Sequence, residues 1–271
     1  MTVPARYLMC PPTYFTVSYE INPWMDTSVP VDQPAAMTQW QRLRDIHIDL
    51  GHTVELINPL PGLPDMVYAA NGATVVGGIA FGAKFSHAER AAEGPAYLAR
   101  LAELGFRPHD AVETNEGEGD LLLVGDLLLA GTGLRTSREA HAEASDVLGR
   151  EVVTLDLVDP RFYHLDTALM VLKGGDGGEA LDVAYLPSAF SSPSQERLRS
   201  LFPDALLATD EDAAVLGLNA VSDGEHIVMA ARATRLADAL RERGYTPVPV
   251  DLPELLLGGG GAKCCTLVLR G

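Results

Sequence analysis

Apolar residues in this chain follow two rhythms that alternate, and the alternation repeats. Over residues 33–50 they fall at helical spacing (Met37, Trp40, Leu43, Ile46, Leu50) and stop at Gly51, which predicts a helix, with a strand over 53–57 after it. Next come a hairpin over 73–81 turning at Gly77-Gly78, a helix over 86–104 closed by Gly105, and a strand over 107–112. The same unit returns as a hairpin over 121–129 turning at Gly125-Asp126, a helix over 137–148 and a strand over 151–157. A third copy pairs 168–172 with 181–185 around the loop 174–178, then places a helix at 194–201 and a strand at 205–208. The last pairs 214–218 with 226–230 around Ser222-Asp-Gly, then a helix over 233–243 and a strand over 246–250.

This repetition, at a period of roughly fifty residues, is the main architectural signal. Five helices centre near positions 35, 90, 140, 195 and 235. A strand over 5–10 has no predecessor to pair with, and a strand over 266–270 has no successor. Pairing these two terminal strands closes a ring of five units, which removes open sheet edges and makes residues 1–271 a single domain. Residues 13–31 lack a steady period and read as a long loop packed by its own aromatics.

Composition narrows the function classes. Of 271 residues, 37 are acidic and 20 basic, a net charge of −17; this excludes a Lys/Arg footprint for nucleic acid and suits a small cationic substrate. No apolar stretch reaches the length of a signal peptide core or a membrane span: the best run, 121–129, is broken by Gly125 and Asp126. Three cysteines, an odd number without a secretion signal, point to free thiols and the cytoplasm. Oligomeric state is not encoded in any readable pattern.

The candidate chemistry follows the same period. Asn71, the acidic run Glu116-Gly-Glu118-Gly-Asp120, His164-Leu-Asp166, Asn219 and Cys264 each stand at or just before the first strand of a unit. From Asn71 to Asp120, Asp166, Asn219 and Cys264 the successive separations are 49, 46, 53 and 45 residues. In a closed ring, equivalent positions surround the axis. The periodicity therefore gathers an amide, carboxylates, an imidazole and a thiol: a nucleophile, a proton-transfer group and holders for a cation, the set needed for covalent attack on a planar cationic carbon. The glycine run 258–261 ahead of Cys264 reads as a flexible loop that presents the thiol. Cys10 and Cys265 read as buried small residues. The other six histidines (47, 52, 87, 109, 141, 226) read as surface or helix-face residues, with no metal-ligand spacing. No glycine run is followed by Lys-Ser/Thr, so there is no phosphate loop and no nucleotide cofactor.

Taken together, Glu-Gly-Glu-Gly-Asp, Tyr163-His164-Leu-Asp166-Thr and Gly-Gly-Ala-Lys-Cys264-Cys-Thr-Leu resemble the guanidine-modifying enzyme superfamily across essentially the whole chain. The resemblance implies an α/β fold, the five-bladed α/β propeller or pentein, with no cofactor or metal. It implies that Cys264 attacks a guanidinium carbon, His164 protonates the leaving amine and then activates water, and either Glu116 or Glu118 grips the guanidinium. The extra residue in the acidic motif leaves that register open. By the same resemblance Asp120 and Asp166 belong to the site, Arg135 and Arg90 bind the substrate carboxylate, and Asp65 lies near its amino end. Where dimethylarginine hydrolases carry an acidic pair, this chain has Tyr68-Ala-Ala-Asn71, which with Asn22 looks more like arginine dihydrolases. A carboxylate only accepts hydrogen bonds and suits a guanidinium; an amide also donates and can hold the C=O of a ureido intermediate. The expectation is arginine dihydrolase activity, giving ornithine, CO2 and two NH3. The alternatives are a dimethylarginine hydrolase or arginine deiminase stopping at citrulline, and a non-catalytic ribosome anti-association factor of the same fold.

Overall fold

The computed structural model describes residues 4–174 and 180–271. Of the loop expected over 174–178, all but Gly174 lies outside the described residues. The strands form five three-stranded sheets with one shared plan. In the first, β1 (Arg6–Met9) lies between β15 (Leu267–Val268) and β2 (Thr53–Leu56). The others are β3 (Ala73–Val76), β4 (Ile79–Gly82) and β5 (Arg107–His109); β6 (Leu121–Val124), β7 (Leu127–Thr132) and β8 (Glu151–Asp156); β9 (Leu169–Lys173), β10 (Asp182–Tyr185) and β11 (Leu206–Leu207); and β12 (Val221–Ser222), β13 (His226–Ala230) and β14 (Thr246–Val250). In every sheet the first strand runs antiparallel to the middle one and the middle one parallel to the last. A parallel pair needs a crossover, and the amphipathic helices Gln33–Asp49, Glu93–Glu103, Arg138–Leu148, Ser192–Leu201 and Thr234–Glu242 supply the five. The chain is thus the five-bladed α/β propeller.

The ring closes through its termini: Tyr7 pairs with Val268 and Leu8 with Leu267. First strands of successive blades touch, β15 with β3, β3 with β6, β6 with β9 and β9 with β12, so they line the axis. Local signals set the helix limits. Asp32 accepts from the Ala35 N–H and Ser137 from the Ala140 N–H as N-caps, while Gly149 ends its helix at φ 62°, a conformation that costs glycine least.

Three expectations are corrected. The helix expected over 86–104 starts later, at Glu93, after a short 3-10 turn Ala88–Arg90. Residues 214–218 form no strand: Thr209 caps the helix Asp210–Ala213, whose three acidic residues suit its N-terminus, and the chain continues in turns with Leu216 at φ 53°. The apolar residues there are buried by turns, and the first strand of that blade is Val221–Ser222. His47 and His141 are helix-face residues as expected, on Gln33–Asp49 and Arg138–Leu148, whereas His52 is neither on the surface nor on a helix. His47, His52 and His141 are buried; burial pushes His47 down to about 3, His52 donates to Asp223 at 3.3 Å, and His141 bonds Thr154 and the Gly131 carbonyl. Residues 13–31 are irregular as expected, with Phe15, Val17 and Met25 buried. No helix among the described residues is long and apolar enough to cross a membrane.

Candidate active site

Each first strand begins at the same end of the ring, so the residues ahead of β3, β6, β9, β12 and β15 converge there. Their loops are stitched across blades. The Ala70 N–H donates to the Cys264 carbonyl at 3.0 Å, the Leu165 N–H to Asp120 Oδ1 at 3.0 Å, and Asn219 Nδ2 to the Asp166 carbonyl at 3.2 Å. A Cβ on Gly119 would stand 2.5 Å from Asn71 Nδ2 and 3.1 Å from the His164 ring, so only glycine lets those two groups approach.

Cys264 is buried in the turn three residues ahead of β15, and the glycine run ahead of it is pinned rather than flexible. Tyr163 Oη donates to the Gly259 carbonyl at 2.9 Å, Asn22 Nδ2 to the Gly258 carbonyl at 3.1 Å, and a Cβ on Gly260 would fall 2.3 Å from the Tyr68 ring. Asn219 holds the nucleophile loop directly. Its Oδ1 accepts from the Gly261 and Cys264 N–H groups at 3.0 Å each, and its Nδ2 lies 3.0 Å from Cys264 Sγ. The thiol in turn reaches Asp166 Oδ2 at 3.4 Å. Burial, then the Asp166 charge, pushes the Cys264 thiol well above its ordinary value, against the opposing bonds from Gly261 and Asn219. Burial also lifts Asp166 to about 6, with His164 and Lys263 pulling the other way. A cation placed beside the pair would favour the ionised form of both groups.

His164 is fully buried and its Nε2 lies 2.7 Å from Glu116 Oε2. A carboxylate only accepts, so Nε2 donates to it, while Nδ1 is buried without a partner. Burial raises the Glu116 carboxyl, but His164, Arg135 and Arg90 outweigh it and hold Glu116 well below the usual carboxylate range. Ser86 Oγ donates to Glu116 at 2.7 Å and Arg135 Nη1 at 3.1 Å. His164 is thus oriented from Nε2 by Glu116, with its second ring nitrogen, Nδ1, left over for a ligand.

The acidic motif separates into three parts. Glu116 faces His164. Glu118 points elsewhere: it accepts from Lys263 Nζ at 2.8 Å and the Val268 N–H at 3.0 Å, and pairs with Arg270, tying the last strand into the ring. Asp120 accepts from the Leu165 N–H and, at 2.7 Å, the Thr136 hydroxyl, so it organises the His164 loop rather than facing a ligand. The Gly117 backbone at φ 56° turns the chain between them.

Around this centre, Arg135 stacks on Tyr163 at 4.8 Å and donates Nη2 to the Ile21 carbonyl at 2.6 Å. Tyr19 Oη donates to Asp65 Oδ2 at 2.9 Å, leaving the buried Asp65 Oδ1 unpartnered; Asn22 Oδ1 accepts from the Trp24 N–H at 2.9 Å. The long loop thus lies over the site. Arg90, expected as a carboxylate ligand, is instead committed inside the protein to Glu93, Asn71 and the Asp65 carbonyl. Asn219 was legible only as a ring-equivalent position; its grip on Cys264 was not. A cavity of about 690 Å3 lies at the other, hairpin-turn end, lined by Gly77, Lys173 and Gly224, and reaches the site only at Asp166 and Lys263. Among the described residues no group of three or more His, Cys, Asp or Glu is placed to hold a metal.

No protein-family model matches the chain. It is 53% identical over 265 residues to the N(G),N(G)-dimethylarginine dimethylaminohydrolase of Mycobacterium tuberculosis, covering 98% of this chain and 86% of that protein. It belongs to the guanidine-modifying enzyme superfamily. A second relative of this superfamily, the bifunctional arginine dihydrolase/ornithine cyclodeaminase ArgZ of Synechocystis, is 36% identical over 269 residues; the match spans 97% of this chain but 37% of that longer protein. The N-terminal domain of ArgZ bound to substrate superimposes with a TM-score of 0.91 at 34% identity, covering 98% of each chain. A dimethylarginine dimethylaminohydrolase adduct, at 18% identity and a TM-score of 0.77, shares the fold. Like these guanidine-modifying relatives, the chain is a hydrolase of C–N bonds in linear amidines. The non-catalytic reading is therefore set aside.

Proposed function

We propose that the chain is an arginine dihydrolase, converting L-arginine and two waters to ornithine, CO2 and two NH3 through a covalent amidino intermediate on Cys264. One observation carries the reading: an amide, Asn71, stands beside His164 where a carboxylate would suit a guanidinium alone. The substrate's cation enters between Asp166 and the carboxylates, favouring ionised Asp166 and the thiolate of Cys264. Sulfur adds to the guanidinium carbon; a proton relayed by His164 leaves with the first ammonia. Water, losing its proton to His164 Nδ1, adds to the same carbon and expels the sulfur, giving a ureido product. A second round on that product releases the second ammonia and leaves a carbamate, which decomposes to ornithine and CO2. Asp65 and Arg135 serve the amino-acid end of the substrate. The whole ring acts as one catalytic domain, and its three unpaired thiols suit the cytoplasm.

A second reading, hydrolysis of methylated arginine to citrulline, draws support from the 53% identity to the Mycobacterium tuberculosis relative. Incubating pure protein with arginine and with N,N-dimethylarginine, and identifying products by mass spectrometry, separates the two. Ornithine from arginine is expected; citrulline without ornithine removes the dihydrolase step, and dimethylamine release with inert arginine selects the second reading. Cys264→Ser is expected to abolish turnover; full turnover in that variant rules out the assigned nucleophile.

A further inference from the structure

The turn that carries Cys264 is closed across its mouth by one residue. Thr266 Oγ1 donates to the Ala262 carbonyl at 2.8 Å, the Thr266 N–H donates to the Lys263 carbonyl at 2.9 Å, and the Thr266 carbonyl accepts from Lys263 Nζ at 3.2 Å. A hydroxyl has a single proton, and Thr266 gives its own to Ala262, so the oxygen is left as an acceptor. The group that fills it comes from outside the turn: His47 Nε2, 3.2 Å away and 219 residues earlier in the chain. Burial, reinforced by His52 and opposed by the Asp223 charge, holds His47 neutral at about 3, so the ring carries one N–H and gives it to Thr266. Its Nδ1 is buried without a partner, and both His47 and Thr266 are closed to solvent.

His47 stands in the last turn of the helix Gln33–Asp49, and the opposite end of that helix holds the start of the same loop. The Asp32 N–H donates to Glu254 Oε2 at 2.8 Å, and Gln39 Oε1 accepts from the Glu254 N–H at 3.0 Å. Residues 254–266, with the glycine run and Cys264 among them, are thus fastened at both ends to one outer helix. Asn219 grips the middle from another blade.

We infer that His47 is a positioning residue for the nucleophile: by donating to Thr266 it locks that hydroxyl onto the Ala262 carbonyl and so fixes the turn in which Cys264 stands. A hydroxyl that accepts from one partner is a stronger donor to the next, so the two bonds act as a chain. The inference rests on Cys264 as the nucleophile and not on which linear amidine is the substrate.

Steady-state kinetics on whichever of arginine and N,N-dimethylarginine the enzyme turns over, beside a thermal melt, test it. Thr266→Val keeps the shape and deletes the hydroxyl; kcat is expected to fall roughly tenfold or more, with KM within about twofold because no substrate contact is touched. His47→Leu deletes the donor and is expected to lower kcat roughly five- to tenfold, whereas His47→Gln, whose amide N–H reaches the same oxygen, should stay within about twofold of the unmodified enzyme. In the double variant Thr266→Val with His47→Leu the losses should not multiply, and kcat should stay within about twofold of Thr266→Val alone. Multiplied losses, equal kcat in the Leu and Gln variants, or a His47→Leu protein that loses Tm but keeps kcat would each overturn the inference. Should Thr266→Val or His47→Leu not fold, Thr266→Ala and His47→Asn, whose amide stops short of the hydroxyl, replace them under the same expectations. Full turnover in Cys264→Ser would instead withdraw the nucleophile itself, and the inference with it.

Discussion

Asn219 is the side chain on which the position of Cys264 depends most directly, and removing it has a calculable effect. In Asn219→Ala two backbone N–H groups, those of Gly261 and Cys264, lose the acceptor they share. Leaving such donors buried and unpaired costs about 1–3 kcal/mol each, so about 2–6 kcal/mol in all. At about 2–4 °C per kcal/mol for a chain of this size, Tm should fall by roughly 4–24 °C unless water enters the site. The loop would also lose the restraint that fixes sulfur, and a displacement near 1 Å costs on the order of 10²-fold in kcat. Asn219→Asp separates the two effects. The carboxylate still accepts from both N–H groups, so Tm should drop less, but it replaces the Nδ2 donor 3.0 Å from sulfur with a negative charge. The thiolate is then opposed, and the pH at which turnover reaches half its maximum should move upward. Thermal melts and kcat/KM against pH on both variants check this. An Asn219→Ala protein with unchanged Tm and unchanged kcat/KM would refute the claim that these bonds set the nucleophile.

Two further predictions follow from the same geometry. Burial lifts Asp166 to about 6, above its unfolded value, so the protonated form is favoured in the empty fold. Its contribution to stability is then full below about pH 4 and is lost as pH rises through about 6. A guanidinium needs the ionised form, so arginine affinity in Cys264→Ser protein should rise from pH 5 to 7 by roughly tenfold and then level off; a flat profile contradicts the assignment. Gly119→Ala would push a methyl into Asn71 and His164, and is expected to lower kcat at least tenfold with a smaller change in stability, as read by steady-state kinetics beside a thermal melt.

Much of this molecule was written in the order of its residues. Hydrophobic spacing, Gly51, Gly105, Gly149 and Gly244 marked four of the five blades, because apolar periodicity and left-handed glycines act locally. The sequence by itself determined the repeat, the pairing of the two ends, and the equivalence of Asn71, Asp120, Asp166, Asn219 and Cys264. It failed at 214–218, where an N-cap and three acidic residues overrode an apolar run. Tertiary structure alone decided which way each polar side chain points: Glu116 to His164, Glu118 to Lys263, Arg90 inward to Glu93, and the Asn71 amide outward to the site. The reason is physical. Periodicity locates a backbone position relative to the ring axis, whereas a buried polar group takes the direction of whichever partner satisfies it, and such a partner can be far along the chain, as Val268 is for Glu118 at a separation of 150 residues.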